Sequence, residues 1–309
     1  MKIYRMKIKP KGSHITPWHS DTLFGSLCWV LVQKSGDCFL REFLNEYKEG
    51  RFPVVISNGF PGDYLPKPMA GNVFPETENP GKYEEIAKAI KIKEAKKTTL
   101  ISLDEFNSII NNQHIELKPK DKLRIEVGVM HNQISRMTDT TIDGGLFEQH
   151  EVFWEDTYVS IYFGIKDEWK DIVEELMHVL AVRGYGKRAS AGKGHFSIED
   201  FCEFKGFNIA GNPNSFVCFS NYIPCETDPV DGQYSTFVKH GKLGQYFASC
   251  DNPFKKPILM INPGAVFWDD NPGFAYGRLA ERVSVVFPEV VHCGCSLAIP
   301  SYITKPDMG

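Results

Sequence analysis

The sequence lacks any apolar run long enough to cross a bilayer. Its opening, Met1-Lys2-Ile3-Tyr4-Arg5-Met6-Lys7, is charged where a secretion signal is apolar. Both absences point to a cytoplasmic protein with no membrane partner. Paired cysteines are missing too. None of the eight cysteines forms a C-x-x-C, and a structural zinc site draws four ligands from such knuckles. Cys293 and Cys295, beside His292, come nearest, but Cys218, Cys225 and Cys250 are scattered singly. Reduced, partly buried thiols are expected, with no metal and no cofactor. Neither G-x-S-x-G nor H-E-x-x-H occurs, so no hydrolase or metalloprotease signature is present. A basic excess is also absent, since the net charge is −4 and the pI about 6.2. Free-standing nucleic-acid binders usually carry a positive surplus. Any such site here must be local, with other faces turned to proteins.

What is present suits a globular chain. The 309 residues, 42% hydrophobic and 24% charged, can bury a real core and favour two domains. Ile3 to Lys9 alternates at period two and predicts a strand. Ser20 or Asp21 is placed to cap a helix with Leu23, Phe24, Leu27, Val30 and Leu31 on one face. From residue 35 to 122 the pattern loosens around Pro61, Pro66, Pro68, Pro75 and Pro80, and a lysine-rich helical stretch follows near Tyr83 to Lys97. This segment reads as an insertion. Leu123 to Met130 alternates again, and a strand is expected from Val152 to Ile165. The two make a hairpin whose polar tip is His131 to Gln149, a projection over 131–150. Asp167 is placed to cap a helix bearing Trp169, Ile172, Val173, Leu176, Val179 and Leu180, with Gly184 at its end. A glycine-rich loop and a strand from His195 to Phe204 complete β-α-β-β-α-β, the ferredoxin-like order also used by RNA-recognition modules. The fold class is therefore α+β, with a first ferredoxin-like domain over 1–204. The remainder, 205–309, has short β-rich runs at Phe216–Tyr222, Tyr234–Val238, Ile258–Ile261 and Ser296–Ile299, and reads as a second, degenerate domain of the same class.

The stretch richest in chemistry runs from Arg183 to Phe196. It holds four glycines, four Lys or Arg, and no acid. Glycines let backbone N–H groups approach a phosphate, and the cations supply charge. Five residues separate Gly186 from Gly192, Lys193 precedes Gly194, and the loop leads from helix to strand, so neither a P-loop nor a dinucleotide fingerprint fits. The blander reading is a solvated basic loop. The hairpin tip carries hydroxyls, amides and isolated apolar residues (Ile134, Met137, Ile142, Leu146, Phe147) with Arg136. It is either a mobile surface loop or a device that wedges between bases. Trp18 to Gly25 offers a helix start that can receive phosphate, though a structural cap is the commoner role. Leu65-Pro66-Lys67-Pro68 reads first as a rigid turn. His14, His19, His131 and His195 are candidate general acids for RNA cleavage.

On these residues the chain resembles the RAMP superfamily of CRISPR proteins, which carry a ferredoxin-like domain with a glycine-rich loop before its last strand. It is similar to the subunits of Csm (type III-A) complexes that bind the crRNA 5′ handle. The likeness rests on Ser20 to Trp29, Leu65 to Pro68, the Gly144-Gly145-Leu146-Phe147 approach to Val152-Phe153-Trp154, and the loop, with a fainter echo in Gly294 to Pro300. It covers the first two-thirds well. The resemblance implies a non-catalytic role: holding the handle, meeting target RNA near the guide start, and joining the large polymerase-like subunit to a backbone RAMP subunit. It implies a handle site lined by Tyr185, Gly186, Lys187, Arg188, Ser190, Gly192 and Lys193. Arg136 and His131 would belong to the projecting hairpin, a thumb, with His19, Ser20 and Lys67 as further contacts. The alternative is a crRNA-processing endoribonuclease of the same superfamily.

Overall fold

The computed structural model describes residues 1–70, 93, 97–117, 123–155, 157–209 and 211–305. The predicted helical stretch from Tyr83 to Lys97 lies outside them apart from Lys93 and Lys97. The N-terminal alternation forms β1 (Lys2–Pro10), which buries Tyr4, Met6 and Ile8. Helix α1 (Ser20–Lys48) buries the predicted face and then bends at Gly36, where φ is 82°. Its second part adds Phe43 and Tyr47 to the core. Strand β2 (Val54–Pro61) follows, then a short ribbon of β3 (Leu65–Pro66) with β4 (Leu100–Ile101). Helix α2 (Leu103–Ile110) starts on a capping box between Ser102 and Glu105. The long hairpin β5 (Arg124–Ile134) and β6 (Thr141–Trp154) precedes β7 (Val159–Ile165), α3 (Lys170–Arg183) and β8 (Phe196–Glu203).

The first sheet is antiparallel in the order β2-β7-β1-β8, with α1 and α3 as its crossovers. This is a split βαβ layout, but one strand differs from expectation. Residues 35–48 continue α1 and 54–61 form β2, so this part of the supposed insertion belongs to the sheet. The β-branched run Val54-Val55-Ile56 carries that strand, and the following Ser-Asn-Gly obscures it. A second difference is that 152–165 is two strands. Residues up to Trp154 stay in the hairpin, whose two strands pair with each other and bridge to His14 through Val152, while β7 sits in the sheet centre with every residue buried. Asp167 opens a 3-10 turn ahead of α3, and its carboxylate pairs with Lys2 at 2.9 Å.

The C-terminal half is β-rich: β9 (Ser215–Cys218), β10 (Gly232–Gln233), β11 (Thr236–Lys239), β12 (Ile258–Ile261), β13 (Val266–Trp268), β14 (Ala275–Tyr276), β15 (Leu279–Ala280), β16 (His292–Cys293) and β17 (Ser296–Ser301). A five-stranded sheet runs β10-β13-β9-β17-β14, with ribbons β11-β12 and β15-β16 beside it. Among the described residues no α-helix follows α3. Both halves share one apolar core, in which Val217, Phe219, Val266, Leu297 and Ile299 join the residues of the first sheet. A polar seam crosses it as well. Asn58 of β2 donates to Asn221 Oδ1 at 3.0 Å and accepts from the Ser20 backbone N–H at 2.9 Å.

Candidate nucleic-acid interface

The glycine loop leaves α3 through Gly184, whose N–H closes the helix on Leu180 and whose φ of 82° turns the chain away. Gly186, Arg188, Gly192 and Gly194 also have positive φ. At Gly186 a Cβ would collide with the Thr16 side chain, and at Gly194 with the Tyr185 backbone carbonyl. At Gly192 it would meet nothing. Glycine is thus required for close packing at the first two positions and for the turn at the third. Beneath the loop stands an aromatic column. Trp18 stacks on Tyr185 at 4.4 Å and 12°, takes the edge of Phe196 at 5.4 Å, and meets His14 at 5.5 Å. Tyr185, only 1% exposed, donates its hydroxyl to the Pro17 carbonyl at 2.7 Å. It supports the loop from within and cannot offer its ring to a ligand outside, which corrects its expected place in the site.

The loop lies on the base of the hairpin. His14 and Val152 exchange backbone hydrogen bonds, and Trp154 Nε1 donates to His14 Nδ1 at 3.2 Å. Lys193 Nζ reaches Glu151 Oε2 at 2.6 Å and Ser13 Oγ at 2.8 Å, while Ser13 Oγ donates to the same carboxylate oxygen at 2.6 Å. Five residues up the loop, Arg188 Nη1 donates to His131 Nδ1 at 3.2 Å, and its guanidinium sits 5.7 Å from the Phe147 ring centre. Phe147 in turn stacks on His131 at 5.5 Å. Burial pushes the Glu151 carboxyl up. Hydrogen bonds from Lys193 and Ser13 and the lysine's charge more than reverse that, holding it below the usual range. The loop has no acid of its own in sequence, but the fold supplies one.

Lys187 and Ser190 stay exposed, as does Gly192. The Lys187 backbone N–H is held by Thr16 Oγ1 at 2.8 Å, so the loop is fixed while the lysine head is in solvent. Arg136 is exposed at the far tip of the hairpin, beside the Ser135–Thr140 turn. Ile134, Met137, Ile142, Leu146 and Phe147 are exposed along it.

The remaining predicted residues lie elsewhere. His19 is the N-cap of α1 and makes no side-chain cap bond, and the Ser20 hydroxyl accepts the Asn221 N–H at 3.0 Å instead of capping the helix. Asp21 is buried and pairs with Lys239 at 2.8 Å, and its other oxygen accepts from Asn221 Nδ2 at 2.7 Å. His19 Nδ1 lies 3.1 Å from Lys239 Nζ. This group ties the start of α1 to the C-terminal half. Lys67 is half-buried, its backbone paired with Thr99 and its carbonyl against Gly264. Sequence reasoning missed Ser13, Thr16 and Glu151 as partners of the loop. The only signal was the period-two alternation of β6, which puts Phe147, Gln149, Glu151 and Phe153 on one face.

No protein-family model matches the sequence, and no curated protein matches it. Solved structures do match the fold. A chain of a Csm1-Csm4 cassette in complex with cA4 aligns with TM-score 0.66 and 18% identity, over 99% of this chain and 100% of that one. The same cassette with AMPPNP gives 0.64 and 19%, with equal coverage. A Csm3-Csm4 subcomplex of the type III-A CRISPR-Cas interference complex gives 0.61 and 16%, again over 99% and 100%. The chain therefore has the fold of a subunit of type III-A CRISPR assemblies. The component common to those assemblies is Csm4, and the fold is Csm4-like.

Proposed function

We propose that the protein is the non-catalytic crRNA-binding subunit of a type III-A effector, holding the 5′ handle of the guide and bridging the large subunit to the RAMP backbone. The observation that carries this reading is the glycine loop. Its backbone is fixed by the Trp18–Tyr185 stack and by Thr16, and it presents Lys187, Ser190 and the open Gly192 beside an exposed, partly apolar hairpin. Such a surface suits phosphates on the loop and bases against the hairpin. The bridging role accords with neighbours that assemble with Csm1 on one hand and Csm3 on the other. The layout also supports reading 1–204 as a ferredoxin-like domain and 205–309 as a degenerate, β-rich one.

Two of the four candidate general acids are poorly suited to cleavage. His14 is enclosed between two tryptophans and, like His19, is pushed down to about 4 by burial, so neither is charged near neutrality. Loading of a 5′-handle guide into the reconstituted complex tests the proposal. Replacing Lys187, Arg188 and Lys193 together by Ala should cut loading strongly, with no RNA cleavage by either version. Unchanged loading, or cleavage by the isolated chain that His195→Ala abolishes, would overturn it.

A further inference from the structure

Four buried polar atoms without hydrogen-bond partners converge on one face of the hairpin: both amide atoms of Gln149, Oε1 of Glu151 and Nε2 of His131. Gln149 is 6% exposed and Glu151 1%. In the ladder, Val129 opposite Gln149 lies between the pairs His131–Phe147 and Val127–Glu151. His131 Nε2 comes within 3.7 Å of Glu151 Oε1, so its ring reaches along the face past Gln149. The loop is anchored on either side of this spot, by Lys193 on Glu151 and by Arg188 on His131. Gln149 thus sits under the span between the loop's two anchor points.

Burying an amide with neither end satisfied destabilises a fold, and an apolar side chain of the same shape would do better there. Such a group in a native chain calls for a partner that it meets in the working state. We propose that Gln149 is a nucleobase-reading residue: when RNA binds, the loop segment between Arg188 and Lys193 lifts and one base takes its place against the hairpin. The inference rests on the RNA-binding reading above and adds a specificity that reading lacks. The atoms define the base. Glu151 is acceptor-only, since Lys193 and Ser13 keep it ionised, and Gln149 offers one acceptor and a donor. A base edge with an exocyclic amino group beside a ring-nitrogen acceptor complements them. Adenine and cytosine have that edge. Guanine meets the same atoms with N1–H and its amino group on the carboxylate and O6 on the amide, and uracil, whose one N–H is flanked by carbonyls, fits worst. Gly192, which meets no neighbour, lets the chain turn as the segment moves, while the close-packed Gly186 and Gly194 hold its flanks.

The test uses the reconstituted complex and guide RNAs with one abasic nucleotide at each of the first ten positions in turn. For wild type, one position should cost about tenfold in affinity, the scale of one bidentate base contact. At that position a base with an exocyclic amino group should bind well and uracil should not. Gln149→Met should bind the intact guide about tenfold more weakly, lose nothing further at that position, and melt at or above the wild-type temperature. Equal affinity of Gln149→Met and wild type for every RNA would overturn the inference while leaving the handle reading intact. A lower melting temperature with an unchanged abasic profile would also overturn it, by showing Gln149 to be a satisfied structural amide. If wild-type complex fails to hold any guide, the handle reading itself fails.

Discussion

Lys193 Nζ lies 2.6 Å from Glu151 Oε2, a carboxylate that is almost wholly buried while the lysine side chain keeps 27% of its exposure. One cation of the basic loop is therefore bound internally by the hairpin, and its first role is to hold the two together. The pair is asymmetric. Removing the lysine strands a buried charge, whereas removing the acid leaves a lysine that can reach water.

That asymmetry gives an ordering. Lys193→Ala should lose about 2–4 kcal/mol of stability and Glu151→Gln about 1–2 kcal/mol, read by urea unfolding. Glu151→Gln should also steepen the salt dependence of RNA binding, because it frees the lysine for phosphate. Equal losses, or a larger loss for Glu151→Gln, would contradict the account.

Three loop glycines should separate by packing. Gly194→Ala and Gly186→Ala face both positive φ and a collision, with backbone in the first case and with a movable Thr16 side chain in the second. Gly192→Ala faces the dihedral alone. The expected cost rises from about 1 kcal/mol at Gly192 to several at Gly194, with Gly186 between. Thermal melting of the three variants checks the order.

Acid should destabilise the protein well above the carboxylate range. Burial pushes His14, His19 and His292 down from 6.5 to about 4. The unfolded chain therefore takes up protons first as pH falls. The contribution is complete above pH 6.5, is lost progressively towards pH 4, and is flat below that. By pH 5 the loss is up to roughly 2 kcal/mol per histidine. Melting temperature against pH should fall between 7 and 5 and fall less for His14→Gln. Identical slopes for the two proteins would contradict this.

The two halves should melt together. Asp21 pairs with Lys239, and Asn58 and Asn221 bond across the same seam, above a continuous apolar core. Asp21→Ala leaves Lys239 and Asn221 without that partner and should cost about 3 kcal/mol. Calorimetry should still show one transition, because the shared core survives. Two separate transitions would show the halves to be independent.

Much of this was legible in the sequence. The alternation at Ile3 to Lys9, the helical face from Leu23 to Leu31 and the Gly184 stop are local patterns, and local patterns fix local structure. The misplaced strand shows where that ends. Val54-Val55-Ile56 is too short to stand out before Ser57-Asn58-Gly59, and only pairing with β7 makes it a strand. In the site, the glycine loop declared itself by composition, and Lys187 and Ser190 are exposed on it. The burial of Tyr185 did not, nor did the capture of Lys193 by an acid 42 residues earlier. Those depend on how the hairpin folds back over Ser13 and His14, a contact with no local trace.

The most direct measurement is a photocrosslink from the loop. A benzophenone amino acid at Lys187 or Ser190, in the complex loaded with a guide labelled at its 5′ end, should attach to the first handle nucleotides. The same group at Val182, exposed on α3, should attach to none. Crosslinks that map only to the guide's spacer portion, or that arise equally from Val182, would contradict the claim that this loop holds the 5′ end.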